Sequence, residues 1–227
     1  HSESANRQGV AVSGHTVGVV WEDNRSGSPH CYLATKPAAA AAFQPEVQLS
    51  KSECYEPVVR ALGAGRFVAA WEEAGNVHAQ VLPGGKTLQL SKVEAAQVTL
   101  ALRGDALYAA WAERAGRFKR IVVASLALKG DTLSVKSAQP IEAAMPADEQ
   151  GWPALAVAGD GSVTVAWEDR RARHTVPRVS HSRDGRRFSA SVPLSDHRSG
   201  PVDGLGAGSG AMRPTLAAWG ARGVAAV

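Results

Sequence analysis

The run PALAVAGDGSVTVAW, residues 153–167, carries the pattern that decides the fold. Leu155 and Val157 alternate with the small Ala154, Ala156 and Ala158, and Gly159-Asp160-Gly161 supplies a turn. Val163, Val165 and Trp167 then alternate again. Apolar runs of period two on either side of a glycine-containing turn describe a β-hairpin. Working outward, the same pattern returns as RQGVAVSGHTVGVVW (residues 7–21), PVVRALGAGRFVAAW (57–71), QVTLALRGDALYAAW (97–111) and PTLAAWGARGVAAV (214–227). The five align without a gap. The first four end in Trp21, Trp71, Trp111 and Trp167, and the fifth stops one residue before its own Trp is due. Helix propensity competes over residues 93–115, which are rich in Ala, Leu and Glu. The alternation of Val98, Leu100 and Leu102 with Thr99, Ala101 and Arg103, broken by Gly104-Asp105, decides for strands.

After each of the first four Trp residues come a polar loop, a third strand-like run (HCYLATK, NVHAQVL, RIVVASL, PRVSHSR) and a weaker fourth (EVQLSKS, KTLQLSK, TLSVKS, VPLSD). Four strands per repeated unit predict an all-β chain, a β-propeller of four-stranded antiparallel blades, with a jelly roll or β-sandwich as the alternative. Residues 1–227 read as a single propeller domain of four blades and the start of a fifth. The hairpins start at uneven intervals because loops absorb insertions, of which VDGLGAGSGAM at 202–212 is one. A ring closes only when every blade meets two neighbours. The expectation is therefore further sequence, completing six blades, or a partner chain that supplies the rest.

The chain of 227 residues is 44% apolar and 20% charged, ample for a core. Its charges, +4 in sum, are scattered rather than blocked, which excludes nucleic acid as the expected partner. No apolar stretch approaches the roughly 18 residues of a membrane span, and Ala38 to Ala42 is too short. The start at His1, without Met, reads as processed or trimmed. Cys31 and Cys54, with 22 residues between them, form one bridge or remain two buried thiols. A secreted or periplasmic compartment favours the bridge. The seven His residues show no ligand spacing, so no metal and no cofactor is implied. Phosphate-loop, Gly-x-Ser-x-Gly and His-Glu-x-x-His motifs are absent.

Residues 163–196, VTVAWEDRRARHTVPRVSHSRDGRRFSASVPLSD, resemble the repeat of the bacterial sialidase-like propeller superfamily. The likeness lies in the Trp-Glu-Asp-x-Arg loop and in a loose Asp box at Ser182, Asp184, Gly185 and Phe188, and residues 19–36 repeat its front half. The other blades carry Pro83-Gly84-Gly85 or Lys129-Gly130-Asp131 at that turn. In the Asp box the carboxylate accepts turn amides, the glycine supplies positive φ and the aromatic residue anchors the hairpin, all structural roles on the face away from a ligand. A sialidase needs an Arg cluster for a carboxylate, a Tyr nucleophile activated by a Glu, and an acid. Arg7, Arg60 and Arg213 are the candidate cluster. The family's Arg-Ile-Pro signature is absent, and Tyr55 and Glu56, as neighbours on an extended strand, point to opposite faces.

The four repeated Trp residues suit the wedge between blades. Acids follow each of them: Glu22-Asp23, Glu72-Glu73, Glu113 and Glu168-Asp169. Each Asp is expected to cap its turn and each Arg to pair with an acid of the adjacent blade, each exposed pair contributing about 0–1 kcal/mol. Side chains at the start of each inner strand differ between blades, which is where a specific site is written. Arg7, Tyr55, Glu56, Trp152 and Arg213 are the expected ligand-binding residues, with Trp152 as an exposed platform. No catalytic residue is assigned. The first function class is a propeller binding a glycan, peptide or protein without catalysis. An exo-sialidase-type glycoside hydrolase and a structural module of a cell-envelope protein are the others.

Overall fold

The computed structural model describes residues 5–171, 175–194 and 213–226, with side chains from residue 8 onward. The insertion at 202–212 lies outside the described residues. Strands β1 (Ala5–Ser13), β2 (Thr16–Asp23), β3 (His30–Pro37) and β4 (Val47–Gln48) form the first antiparallel sheet in chain order. The second holds β5 (Cys54–Gly63), β6 (Arg66–Glu73), β7 (Asn76–Leu82) and β8 (Leu88–Gln89). The third holds β9 (Ala95–Arg103), β10 (Ala106–Ala115), β11 (Phe118–Lys129) and β12 (Thr132–Pro140). The fourth holds β13 (Gln150–Val157), β14 (Val163–Asp169), β15 (Val176–Ser182) and β16 (Val192–Pro193). A two-stranded sheet, β17 (Leu216–Trp219) and β18 (Gly223–Ala226), begins a fifth. First strands of successive sheets lie side by side, β1 by β5, β5 by β9, β9 by β13 and β13 by β17, so the sheets are the blades of a propeller. Residues 93–115 are strand throughout their paired part, as the alternation required.

Three apolar seams hold the blades together, and each receives the Trp of the later blade. Trp71 sits with Val20, Leu33 and Val59 between blades one and two. Trp111 sits with Val68, Val81 and Leu100 between two and three, and Trp167 with Tyr108, Ile121 and Val123 between three and four. All three are at most 1% exposed. The close fit admits no Cβ at Gly18, where one would come within 2.8 Å of the Phe67 ring. Cys31 and Cys54 are bridged within the first seam.

Two expectations are corrected. Trp21 does not fill a wedge: it is half-buried and stacks on Tyr32 at 5.8 Å. Its face of blade one is turned away from blade two, and Val10 and Val12 there are 67% and 62% exposed. The hairpins also do not align without a gap. Gly9 pairs with Val20 in blade one as Val58 pairs with Ala70 in blade two, which places Val10, not Gly9, opposite the role of Val59. A second register break between Ala61 and Gly63 gives blade two one more residue before its turn.

The turn after β15 is held by its aspartate. Asp184 Oδ1 accepts the Arg186 amide at 2.8 Å, the Arg187 amide at 3.1 Å and the Ser182 hydroxyl at 3.1 Å. Gly185 has φ +69°, and a Cβ there would lie 2.4 Å from the Tyr108 hydroxyl. Phe188 packs on the third seam.

Candidate functional site

The mouth of the channel is made by the starts of the inner strands and the loops after the second strands. At each start the inner strand bulges opposite its Trp: Asn6 pairs with Glu22, Tyr55 with Glu72, Ala96 with Ala112 and Gly151 with Glu168 before register is lost. The bulge residue takes a left-handed backbone, with φ +51° at Glu56, +60° at Gln97, +50° at Trp152 and +56° at Arg213. Non-glycine residues pay about 1–2 kcal/mol for that region, and something must hold them there. At Gln97 and Arg213 a carboxylate of the preceding blade does so. Glu72 Oε1 accepts the Gln97 amide and Glu168 Oε1 accepts the Arg213 amide, both at 2.5 Å. Blade three has Ala112 in place of that acid, and the Gln97 side chain substitutes, its Oε1 accepting the Trp152 amide at 2.8 Å. Gly151 makes room for it, since a Cβ there would lie 2.7 Å from Gln97 Oε1.

The second acid of each loop holds the Trp of its own blade. Glu73 accepts the Trp71 indole at 2.9 Å, Glu113 that of Trp111 at 3.2 Å and Asp169 that of Trp167 at 3.4 Å. Trp21 also helps to lower the pKa of Asp23, behind the larger effect of Arg25. Burial opposes ionisation of Glu73, but donors from Trp71, Ser52 and Lys51 outweigh it and keep its pKa below the ordinary range. At Asp169 burial is likewise outweighed by Arg171. Asp23 and Asp169 cap their turns as expected, but Arg25 and Arg171 pair within their own loops rather than solely with an adjacent blade: Arg25 bonds Asp23, and Glu46 of the same blade, and Arg171 bonds Asp169, and Glu142 after β12.

Of the five expected site residues, the structure joins Trp152 and Arg213. The guanidinium carbon of Arg213 lies 4.1 Å from the Trp152 ring centroid, and Trp152 is half-buried rather than fully exposed. Glu56 and Glu22 lie close enough to Glu72 to raise its pKa further, after burial, the main cause. Tyr55 is 40% exposed, and its hydroxyl donates to Glu53 at 3.0 Å. That bond, with burial and the charges of Glu22 and Glu72, raises the phenol pKa, the opposite of an activated nucleophile. Tyr55 and Glu56 are not alternate residues of an extended strand, because Glu56 is the bulge. The Arg7 side chain lies outside the described residues; its backbone occupies the bulge of blade one. A cleft of about 270 Å³ between blades two and three is lined by Glu53, Tyr55, Glu72 and Glu94 over Ala95 and Ala96. Among the described residues no group of three His, Cys, Asp or Glu side chains could hold a metal. Among the described residues no helix is long and apolar enough to cross a membrane.

Sequence reasoning passed over Gln97. The available signal was its place at the entry of blade three, the same blade whose loop has Ala112 where the first acid would stand.

Fold and mouth together define a β-propeller whose blades share one backbone at the channel rim and differ in the side chains they present there. Among solved structures the chain is similar in fold to propeller glycoside hydrolases. It covers 87% of its own length and 69% of an α-L-arabinofuranosidase from Podospora anserina solved with cellotriose (TM-score 0.54, 10% identity). The GH62 α-L-arabinofuranosidase catalytic domain of Coprinopsis cinerea gives 88% and 71% (TM-score 0.54, 9% identity). An endo-1,4-β-xylanase from Bacteroides thetaiotaomicron gives 85% and 72% (TM-score 0.52, 9% identity). No protein-family model matches the chain, and no curated protein matches it in sequence.

Proposed function

We propose that this chain is a secreted or periplasmic propeller that binds a carbohydrate at the channel mouth, through Arg7, Tyr55, Glu56, Trp152 and Arg213. The observation that carries the reading is the Arg213 guanidinium stacked on Trp152. Both have the left-handed backbone that recurs at Glu56 and Gln97, so the shared geometry answers to the fold and the differing side chains are free to serve a ligand. An indole face gives a sugar ring apolar surface at low entropy cost, and a guanidinium gives planar donors for its oxygens. The Cys31–Cys54 bridge suits an oxidising compartment. The carbohydrate-active propellers of similar fold support the choice of a glycan over a peptide or protein ligand.

Calorimetry with cellotriose and xylotriose, after a glycan-array screen, tests this. Trp152→Ala and Arg213→Ala are expected to weaken binding by about tenfold or more, while Asp184→Ala on the far face leaves it unchanged. Loss with Asp184→Ala alone overturns the assignment, and an empty array with a co-purifying protein favours the assembly module.

Glycoside hydrolysis is the second reading, favoured by Glu72. A carboxyl whose pKa burial raises, beside the carboxylates of Glu56 and Glu22, has the acid–base asymmetry that glycosidic cleavage uses. Release of 4-nitrophenol from an arabinofuranoside or xyloside, abolished by Glu56→Gln, would establish it. Turnover of a fluorogenic sialoside lost in Tyr55→Phe would establish the sialidase form.

A further inference from the structure

We propose that Arg60 forms an oxyanion-binding site in the wall of the central channel, at the inner edge of the seam between blades two and three. Strand register identifies its counterparts. Arg60 pairs with Val68 as Ala11 pairs with Gly18, Ala101 with Tyr108, Ala156 with Thr164 and Ala217 with Ala225. The position is thus alanine in the other four units and arginine in this one, so the fold itself does not call for a cation there. It lies four residues along β5 from the bulge at Glu56, about 13 Å below the mouth at the rise of a strand.

The surroundings leave the charge uncompensated. Val58 and Leu62, which flank Arg60 on its face of the strand, pack against the apolar core of the second seam. Arg60 is half-buried, and its guanidinium makes one hydrogen bond among the described residues, Nη1 to the carbonyl of Val59 at 2.8 Å. Of the other half-buried arginines, Arg120 bonds Glu113, Arg66 pairs with Asp131, and Arg178 donates to the hydroxyl and carbonyl of Ser191. Arg60 has no such partner among the described residues, and burial lowers its pKa with no charged neighbour opposing. A desolvated guanidinium is stable when its planar donors are met, and carboxylate or sulfate meets them two at a time. The ligand is therefore a free oxyanion, or the acidic group of a molecule reaching down the channel. The site does not depend on the mouth binding sugar.

Calorimetric titration of the purified chain at fixed ionic strength, with sulfate, glucuronate and glucose as probes, tests the site. Saturable binding of sulfate or glucuronate, absent for glucose, is expected. Sulfate with glucuronate points to a free oxyanion, and glucuronate alone to an acidic ligand. Arg60→Ala installs the residue of the other blades, so it is expected to fold and to lose at least about tenfold in affinity, as the removal of a charged hydrogen bond implies. Should that variant not fold, Arg60→Gln, which keeps a donor and removes the charge, is expected to show the same loss. No saturable binding of either anion, equal binding of glucose, or full affinity in the variant overturns the proposal.

Discussion

Blade one and its three full neighbours carry the same tryptophan on the same strand, held by the same kind of acid, yet with different outcomes. Trp71, Trp111 and Trp167 are fully enclosed, whereas Trp21 is half-buried over Tyr32 with Val10 and Val12 exposed beside it. Glu73, Glu113 and Asp169 each bond the Trp two residues before them, and Trp21 acts on Asp23 at the same spacing, so the clamp is made within a blade. Enclosure is made between blades, because each Trp enters the seam shared with the preceding blade. Orientation of the ring is thus a property of the repeat, and its burial a property of the neighbour.

The largest test of that distinction is truncation of the ring. Trp71→Ala or Trp111→Ala should destabilise by about 3–5 kcal/mol, through lost burial and the cavity left in a closed seam. Trp21→Ala should cost about 1 kcal/mol in the same urea titration. Equal losses would mean that the Trp21 face is covered in solution, by further sequence or by a partner.

Reduction of the Cys31–Cys54 bridge comes next. Closing a loop with 22 residues between the cysteines corresponds to about 3 kcal/mol of unfolded-state restriction. The bridge lies in the first seam, so hydrogen exchange should accelerate on β3 and β5 after reduction and remain unchanged on β13 and β14. Uniform acceleration would show that the seams do not act separately.

Smallest is the titration of the two loop acids. Glu73 and Asp169 have lowered folded-state pKa values, so they contribute stability above their unfolded values, about 4.3 and 3.9, and lose it as pH falls through the folded ones. Glu72 is shifted up and acts oppositely, its protonated form favouring the fold as pH falls toward its unfolded value. Glu73→Gln should therefore flatten the acid limb of a stability–pH curve by about 1–2 kcal/mol, while Glu72→Gln should steepen it. The reverse order would exchange the roles of the two acids.

Much of this was legible in the sequence. Hairpins announce themselves by period-two apolar runs around a glycine, and the aspartate-held turn after β15 by the spacing of Ser182, Asp184 and Gly185. What stayed hidden depends on which side a neighbour stands. Trp21 has the same local sequence signature as Trp71, so only the arrangement of blades separates them. Gln97 acts through a bond to the amide of Trp152, 55 residues away, and no local pattern encodes that. The one-residue offset between hairpins escaped notice because alternation survives a bulge. Of the expected site residues, the meeting of Trp152 and Arg213 could be anticipated from their common place at a strand start. The tie of Tyr55 to Glu53 could not.

The bonds from the amides of Gln97 and Arg213 to Glu72 and Glu168 mean that the segment repeated in the sequence is not the segment closed by hydrogen bonds. A repeat cut at its own ends carries half a coupling at each border, an acceptor at one and a donor at the other, so a blade taken out of the series leaves with its joints open. Blade three makes the joint in a second way. It has Ala112 where blades two and four have the acid, and the glutamine standing in its bulge closes the joint to Trp152, with Gly151 clearing the space it needs.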